Sequence, residues 1–265
     1  MSTRLPVRKT YKLFVGGAFP RSESGRTLEV EGYNVARASR KDVREAVVAA
    51  RKAVAGWSGA TAYNRGQVLY RLAETMETRA ASLAAASGGR REVARAIDRV
   101  VWYAGWADKL AQVLGSSNPV AGPYFNFTLP EPTGVVALVA PDEPALDGLV
   151  ARLAPAIVGG NAVVAIASET HPLAAIELAE AVATSDVPAG VVNVLTGVRA
   201  ELAPVLAGHM DVNAIDVTGA DGDAAPLEVL AAENVKRVVR AKEEQSPWEI
   251  ASFMELKTVW HPIGR

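Results

Sequence analysis

Cysteine is absent from the 265 residues. Its absence excludes disulfides, thiolate zinc sites and a cysteine nucleophile. Histidine is scarce: His171, His209 and His261 are scattered without the spacing of a metal site or a catalytic triad. His171 precedes Pro172 at an expected helix start and His209 falls in an expected loop, so the three read as surface or turn residues. Excess charge is missing too. A formal net charge of −1 gives no electrostatic footprint for nucleic acid or an anionic membrane. No apolar run reaches the roughly 18–20 residues of a membrane span. The basic opening, MSTRLPVRKTYKLFVGG, has too short an apolar stretch for a signal peptide. A cytoplasmic protein with neither nucleic-acid nor membrane partners is expected.

What is present is an ordinary globular composition, 49% hydrophobic and 22% charged, enough for one large domain or a domain with an appendage. The first segment, 11–31, reads as a hairpin: YKLFVGGAF (11–19), a turn at RSESG (21–25) and RTLEVE (26–31). Helical periodicity then runs over 39–114. In 39–57 the residues Val43, Ala46, Val47, Ala50 and Val54 share a face, and Ser39 with Asp42 forms a capping box. The pattern repeats over 64–86, breaks at Gly88-Gly89, and resumes over 92–114.

The extended stretch YFNFTLPEP (124–132) leads into a strand–helix alternation over 124–239. Strands are predicted at 135–139, 162–166, 191–195, 213–217 and 235–239. Helices are predicted near 145–158, 172–184, 199–208 and 224–233. This alternation specifies an α/β fold, a doubly wound, Rossmann-like parallel sheet. A further strand, FMELKTVW (253–260), follows the polar stretch RAKEEQSPWE. Such a strand must pair with something, and the hairpin at 11–31 is the expected local partner.

In such sheets ligands bind where strands stop at their carboxyl ends. The strand in GVVALVAPDEPAL (134–146) stops at Pro141 and is followed at once by Asp142 and Glu143. Two carboxylates there oppose a dinucleotide pyrophosphate, which needs amide donors.

The ordered motifs FVGGAF (14–19), EPTGVVALVAP (131–141), APAIVGGNAVV (154–164), PAGVVNVLTG (188–197), DVNAIDVTG (211–219), AAENVKRV (231–238) and KTVWHPIG (257–264) resemble the aldehyde dehydrogenase superfamily. The resemblance covers residues 11 to about 247 and again 252–264. It implies a nicotinamide-binding domain, a catalytic domain bearing a cysteine, and a small β domain that bridges subunits. Here the chain passes from the end of the cofactor-type domain almost directly to the bridging strand, so the segment that carries the family's thiol is missing. A smaller loss, the Pro-Ala-Thr-Gly turn, falls within 29–39.

By resemblance the remaining functional positions have changed as well. Asp142-Glu143 stands where the family has Trp-Asn, whose amide donates to the oxyanion. A carboxylate cannot donate there and repels developing negative charge. Ile166-Ala167-Ser168-Glu169 stands for Lys-Pro-Ser-Glu at the adenosine ribose, keeping Ser168 and Glu169 as vestigial cofactor-binding residues. GADGDA (219–224) stands for Gly-Ser-Thr-x-x-Gly. It keeps Gly219 while Ala220 and Ala224 replace the serine and second glycine, and Asp221 and Asp223 add charge or cap the next helix. Ala241, with Glu243 and Glu244, stands for the general base and its glycines in Glu-Leu-Gly-Gly-Lys.

No catalytic or metal-ligating residue is therefore expected, and no cofactor, although NAD(P) is the family's cofactor. The expected function is a non-catalytic subunit that assembles with a full-length catalytic aldehyde dehydrogenase, docking through the bridging hairpin 11–31 and the bridging strand 253–260. A homo-oligomer is the alternative assembly. Met254, Leu256, Thr258 and Trp260 would form the interface face of the terminal strand, with Phe253, Glu255, Lys257 and Val259 opposite. Two other functions stay open: an NAD(P)-dependent aldehyde oxidoreductase, which the resemblance implies, or a small-molecule sensor using an acidic cleft for a cationic ligand.

Overall fold

The computed structural model describes residues 7–240 and 245–264. Three short strands, β1 (Thr10–Tyr11), β2 (Thr27–Val30) and β3 (Tyr33–Ala36), precede the helices α1 (Arg40–Gly59), α2 (Ala62–Thr78), α3 (Ala80–Ala86), α4 (Arg90–Ala104) and α5 (Leu110–Leu114). Strands β4 (Ser116–Asn118) and β5 (Tyr124–Pro132) lead to β6 (Val135–Val139), α6 (Ala145–Val158), β7 (Ala162–Ile166), α7 (Pro172–Ala183), β8 (Val192–Leu195), α8 (Arg199–Ala207) and β9 (Ala214–Asp216). A 3-10 turn (Thr218–Asp223), α9 (Ala224–Ala232), β10 (Arg237–Val239), α10 (Pro247–Ala251) and β11 (Met254–Pro262) follow. Among the described residues, no helix is long and apolar enough to cross a membrane.

The five-stranded sheet is parallel throughout, in the order β10-β9-β6-β7-β8. This is the doubly wound fold expected from the alternation. Every residue of β6 and β7 is buried, as a sheet covered on both faces requires. Val136, Leu138, Val163 and Ala165 face a core completed by α2, α4, α6 and α7. Val135, Ala137, Val139, Val164 and Ile166 face one completed by α1, α8 and α9. The Ser39 hydroxyl and the Asp42 carboxylate cap α1 reciprocally, as their spacing predicts.

The amino ends of the strands are held by three asparagines drawn from three of the motifs. Asn161 Oδ1 accepts from the Gly134 amide at 2.9 Å and the Thr133 hydroxyl at 3.0 Å, and its amide donates to Ala156 and Phe253 carbonyls. Asn193 accepts from Gly16 N and donates to Val163 and Gly190 carbonyls. Asn213 accepts from Val135 N and from Arg51. Gly134 has φ +124°, and a Cβ there would overlap the Asn213 side chain.

Two pairings differ from the sequence reading. The hairpin is β2–β3, closed by the two-residue turn Glu31-Gly32, both at positive φ, the mirror-image turn that suits strand twist. Residues 11–19 do not pair with 26–31. Instead β1 lies parallel to β3, and Phe14 exchanges backbone hydrogen bonds with Val194 on β8. Alternation marks strands but does not choose their partners, and burial of Leu13 and Phe14 decides here.

The terminal strand likewise pairs elsewhere. β11 runs antiparallel to β5, from Met254↔Pro132 to Pro262↔Tyr124, with β4 on the far side of β5. A nine-residue partner offers far more ladder than the four-residue strands of the hairpin. The region 64–86 is two helices, which meet at Arg79, and 92–114 is two helices with Gly105 between them.

Candidate functional site

The carboxyl ends of β6, β7 and β8 converge on Asp142. Pro141 has no N–H and cannot continue the ladder, so the chain turns out of β6 and places the Asp142 side chain beside the next two loops. Its Oδ1 accepts from the Glu169 amide at 2.8 Å and the Ser168 hydroxyl at 3.1 Å. The Arg199 guanidinium reaches the same oxygen at 3.0 Å and also donates to the Ala140 carbonyl at 3.1 Å. The backbone amide of Arg199 in turn donates to the Glu169 carboxylate. Burial opposes ionisation of Asp142, but the Glu169 amide, the Arg199 charge and the Ser168 hydroxyl outweigh it and hold its pKa below the ordinary carboxylate value.

Ser168 is buried. It donates to Asp142 and accepts from the His171 amide at 2.9 Å. Gly219 sits on the other side of the β6 end, where a Cβ would overlap the backbone of Val139, Ala140 and Pro141. The three sequence-predicted residues thus gather around one strand end: Ser168 and Glu169 in the Asp142 knot, Gly219 against Ala140–Pro141. Packing alone accounts for the glycine.

These contacts bear on a dinucleotide directly. A ribose diol at this strand–helix turn needs free acceptors, and a pyrophosphate needs free amide donors. The Ser168 hydroxyl donates to Asp142, one Glu169 carboxylate oxygen accepts from the Arg199 amide, and the Glu169 amide donates to Asp142. These contacts compete with a dinucleotide for the same groups.

Asp142 is neutralised by Arg199, while Glu143 is largely exposed and faces His171. The side chains of Asp221 and Asp223 lie outside what the structure describes, as do Ala241, Glu243 and Glu244. Among the described residues, no group of three metal-ligating side chains converges.

Arg199 is the residue that sequence reasoning missed. It opens α8, where a cation opposes the helix dipole, and that misplaced charge was the available signal. His171 was also underestimated. Its Nδ1 lies 2.8 Å from Glu31, at the tip of the β2–β3 hairpin, and its Nε2 lies 3.4 Å from Glu143. Partial burial depresses its pKa, but the hydrogen bonds and charges of Glu31 and Glu143 prevail and raise it above 6.5.

A raised folded-state pKa contributes stability that is fully present below 6.5 and lost as pH rises through the folded value. His171→Gln should therefore cost most near pH about 5, with its pH-dependent part gone by about 9. Melting curves of both proteins across that range test this, and a difference independent of pH would refute it.

Deeper in the fold, Arg152 of α6 donates to Glu249 of α10 at 2.7 Å and lies 3.8 Å from Asp216 at the end of β9. All three are buried. Burial raises the Asp216 pKa in spite of the Arg152 charge.

On the terminal sheet, Leu256 and Trp260 are exposed, the Thr258 hydroxyl lies 3.1 Å from that of Thr128, and the Trp260 ring meets Tyr124 edge-on at 5.8 Å. The predicted alternation of faces matches the register. Met254 departs from the expected interface set: it is 4% exposed and belongs to the core, packed against Gly159.

Comparison with known proteins identifies what this arrangement is built on. The sequence profile of the Aldehyde dehydrogenase family matches residues 27–261. Aldehyde dehydrogenase 1A1 of Homo sapiens is 30% identical over 275 residues, covering 96% of this chain and 54% of the human protein. Retinal dehydrogenase 2 of Mus musculus is 32% identical over 260 residues, 90% of this chain and 50% of its own. Among solved structures, HpcC from Thermus thermophilus superposes with a TM-score of 0.82 at 30% identity, covering 87% of this chain and 47% of that one. An NAD+ complex of the aldehyde dehydrogenase from Bacillus cereus gives 0.80 at 25% identity, covering 87% and 50%. The chain spans about half the length of the curated relatives it matches.

Proposed function

This chain belongs to the aldehyde dehydrogenase family, and we propose that it acts there as a non-catalytic subunit that assembles with a catalytic aldehyde dehydrogenase. One observation carries the reading. At the end of β6 the Glu143 carboxylate stands where the resemblance puts the oxyanion donor, and its neighbour Asp142 is tied to Arg199, Ser168 and the Glu169 amide in the loop the resemblance gives to the cofactor ribose. A carboxylate in place of that amide has no N–H to donate and opposes the charge that develops on an attacked aldehyde oxygen. The chain also runs from Val239 at the end of β10 to Met254 at the start of β11, too short a passage for a catalytic domain bearing a nucleophile.

The assembly half of the reading rests on the sheet β11-β5-β4. One of its faces carries Tyr124, Leu256 and Trp260 exposed, and β11 is the strand to which the resemblance gives subunit bridging. Exposed apolar side chains of this density mark an interaction surface. A full-length relative offers the catalytic domain on which such a sheet would rest.

The purified chain should show no NAD(P)-dependent oxidation of short or aromatic aldehydes, and calorimetry should give dissociation constants for NAD and NADP weaker than about 100 µM. Co-expressed with a full-length aldehyde dehydrogenase from its own source, it should co-elute. Leu256→Glu with Trp260→Glu should abolish co-elution without lowering the melting temperature. These exposed positions are better probes than truncation at 252, which would also remove the buried Phe253 and Met254. Turnover that survives further purification would return the chain to the oxidoreductases. Co-elution unaffected by the double substitution would remove the sheet as the assembly element.

A further inference from the structure

A cleft of about 610 Å³ opens beside the Asp142 knot, between the α3–α4 corner, the start of α6 and the tip of the β2–β3 hairpin. Its walls carry opposite charge. On the α4 side stand Arg91 and Arg95; on the other stand Glu31 and Glu143 with His171 between them. Arg95 is already paired with Asp147 at 3.2 Å, whereas Arg91 has no ion-pair or hydrogen-bond partner among the described residues.

Glu92 at the floor is fully employed. Its carboxylate accepts from the amides of Gly88, Leu146 and Asp147, so it shapes the cleft and takes no ligand. The opposite wall is less well satisfied. The His171 ring sits close to Glu31, at 2.8 Å, and holds Glu143 more loosely. The longer contact, 3.4 Å to Glu143, is beyond the normal range for a hydrogen bond of that kind.

We propose that this cleft binds a small dipolar molecule of the amino-acid class, with its carboxylate on Arg91 and its ammonium between Glu31 and Glu143. An ammonium has three donors and can serve the second oxygens of Glu31 and Glu143, Oε2 in each, alongside His171, which contacts Oε1 of both. A guanidinium without a partner matches a carboxylate in a two-point contact. A ligand of one sign gains at one wall and is repelled at the other; a dipolar one gains at both. The volume lies within the usual range for small-molecule sites. Neither wall uses a residue of the terminal sheet, so this site stands independently of the assembly reading.

The test is calorimetric titration at low salt and pH about 7.5 with glycine, ω-amino acids of increasing length up to 6-aminohexanoate, and diglycine. A primary amine and a carboxylate of matched length serve as single-charge controls. At least one dipolar compound should bind with a dissociation constant below about 1 mM, and both controls at least about tenfold more weakly. Preference for the ω-amino acids would identify a free amino acid as the source, and preference for diglycine a peptide. Arg91→Gln and Glu143→Gln should each weaken binding about tenfold or more. Both side chains are exposed and outside the core, and unchanged melting temperatures would show that the variants are folded. The proposal is overturned if no dipolar compound binds below about 10 mM, if a control binds as well as the dipolar compounds, or if either substitution leaves affinity unchanged.

Discussion

Replacing Arg152 with methionine should lower the unfolding free energy by about 3–5 kcal/mol. The guanidinium is 3% exposed and lies between Glu249 and a fully buried Asp216. Methionine fills much of the volume, so the loss is electrostatic: the buried Asp216 carboxylate loses the cation beside it. It must bind a proton to stay inside, which raises its folded-state pKa further above the ordinary value. A raised carboxylate pKa destabilises the fold as pH rises, so the deficit should shrink toward pH about 5. Adding Asp216→Asn and Glu249→Gln to Arg152→Met should recover most of the loss, because a neutral set has no charge to solvate. Urea unfolding with an unchanged m-value is the measurement. A loss below about 1 kcal/mol for the single change would show that this cluster does not hold α10 to the sheet.

Asn161→Ala should cost about 3–4 kcal/mol, a large share of the 5–15 kcal/mol typical of a folded domain. The side chain makes four hydrogen bonds, to Thr133, Gly134, Ala156 and Phe253, and is fully buried. The Thr133 amide also serves the Phe253 carbonyl, so that group keeps a partner. The Gly134 amide and the Ala156 carbonyl each lose a partner that water does not reach to replace. Asn161→Asp separates the two halves of the side chain. It keeps the acceptor but puts a carboxylate oxygen in place of the donor, against two carbonyl oxygens, so it should be at least as costly at neutral pH and recover on acidification. Equal stability of Asn161→Ala and the parent protein in chemical denaturation would refute this account.

The same asparagine explains why so much of the fold was legible while the function was not. Asn161, Asn193 and Asn213 lie inside the motifs APAIVGGNAVV, PAGVVNVLTG and DVNAIDVTG, and all three fasten the amino ends of the strands. Gly134 and Gly219 belong to the same group, since neither position has space for a Cβ. The motifs that carry the family resemblance are largely those the sheet needs in order to close. They persist whether or not chemistry does. Strands β6 to β9 and the helices between them were readable because buried parallel strands are short, apolar and punctuated by glycine and proline. The break at Arg79 was invisible in a run of good helix formers. The partner of β11 was invisible for another reason: pairing across the whole length of the sheet domain leaves no local mark. At the site, Asp142 could be read from its place after β6, but its neutralisation by Arg199, at the start of α8 two strands away, could not.

The β5–β11 ladder joins residues 124–132 to residues 254–262, with the entire five-stranded sheet between them in sequence. Closing so long a loop is slow and costs entropy that only the finished ladder offsets. The parallel sheet therefore consolidates first, and until β11 arrives the edge of β5 stands open beside Phe125 and Phe127. A second molecule's β11 presents the same nine-residue register to that edge. Two chains that refold close together can then exchange terminal strands, each completing the other's sheet, and the exchanged pair contains every backbone hydrogen bond of the closed monomer.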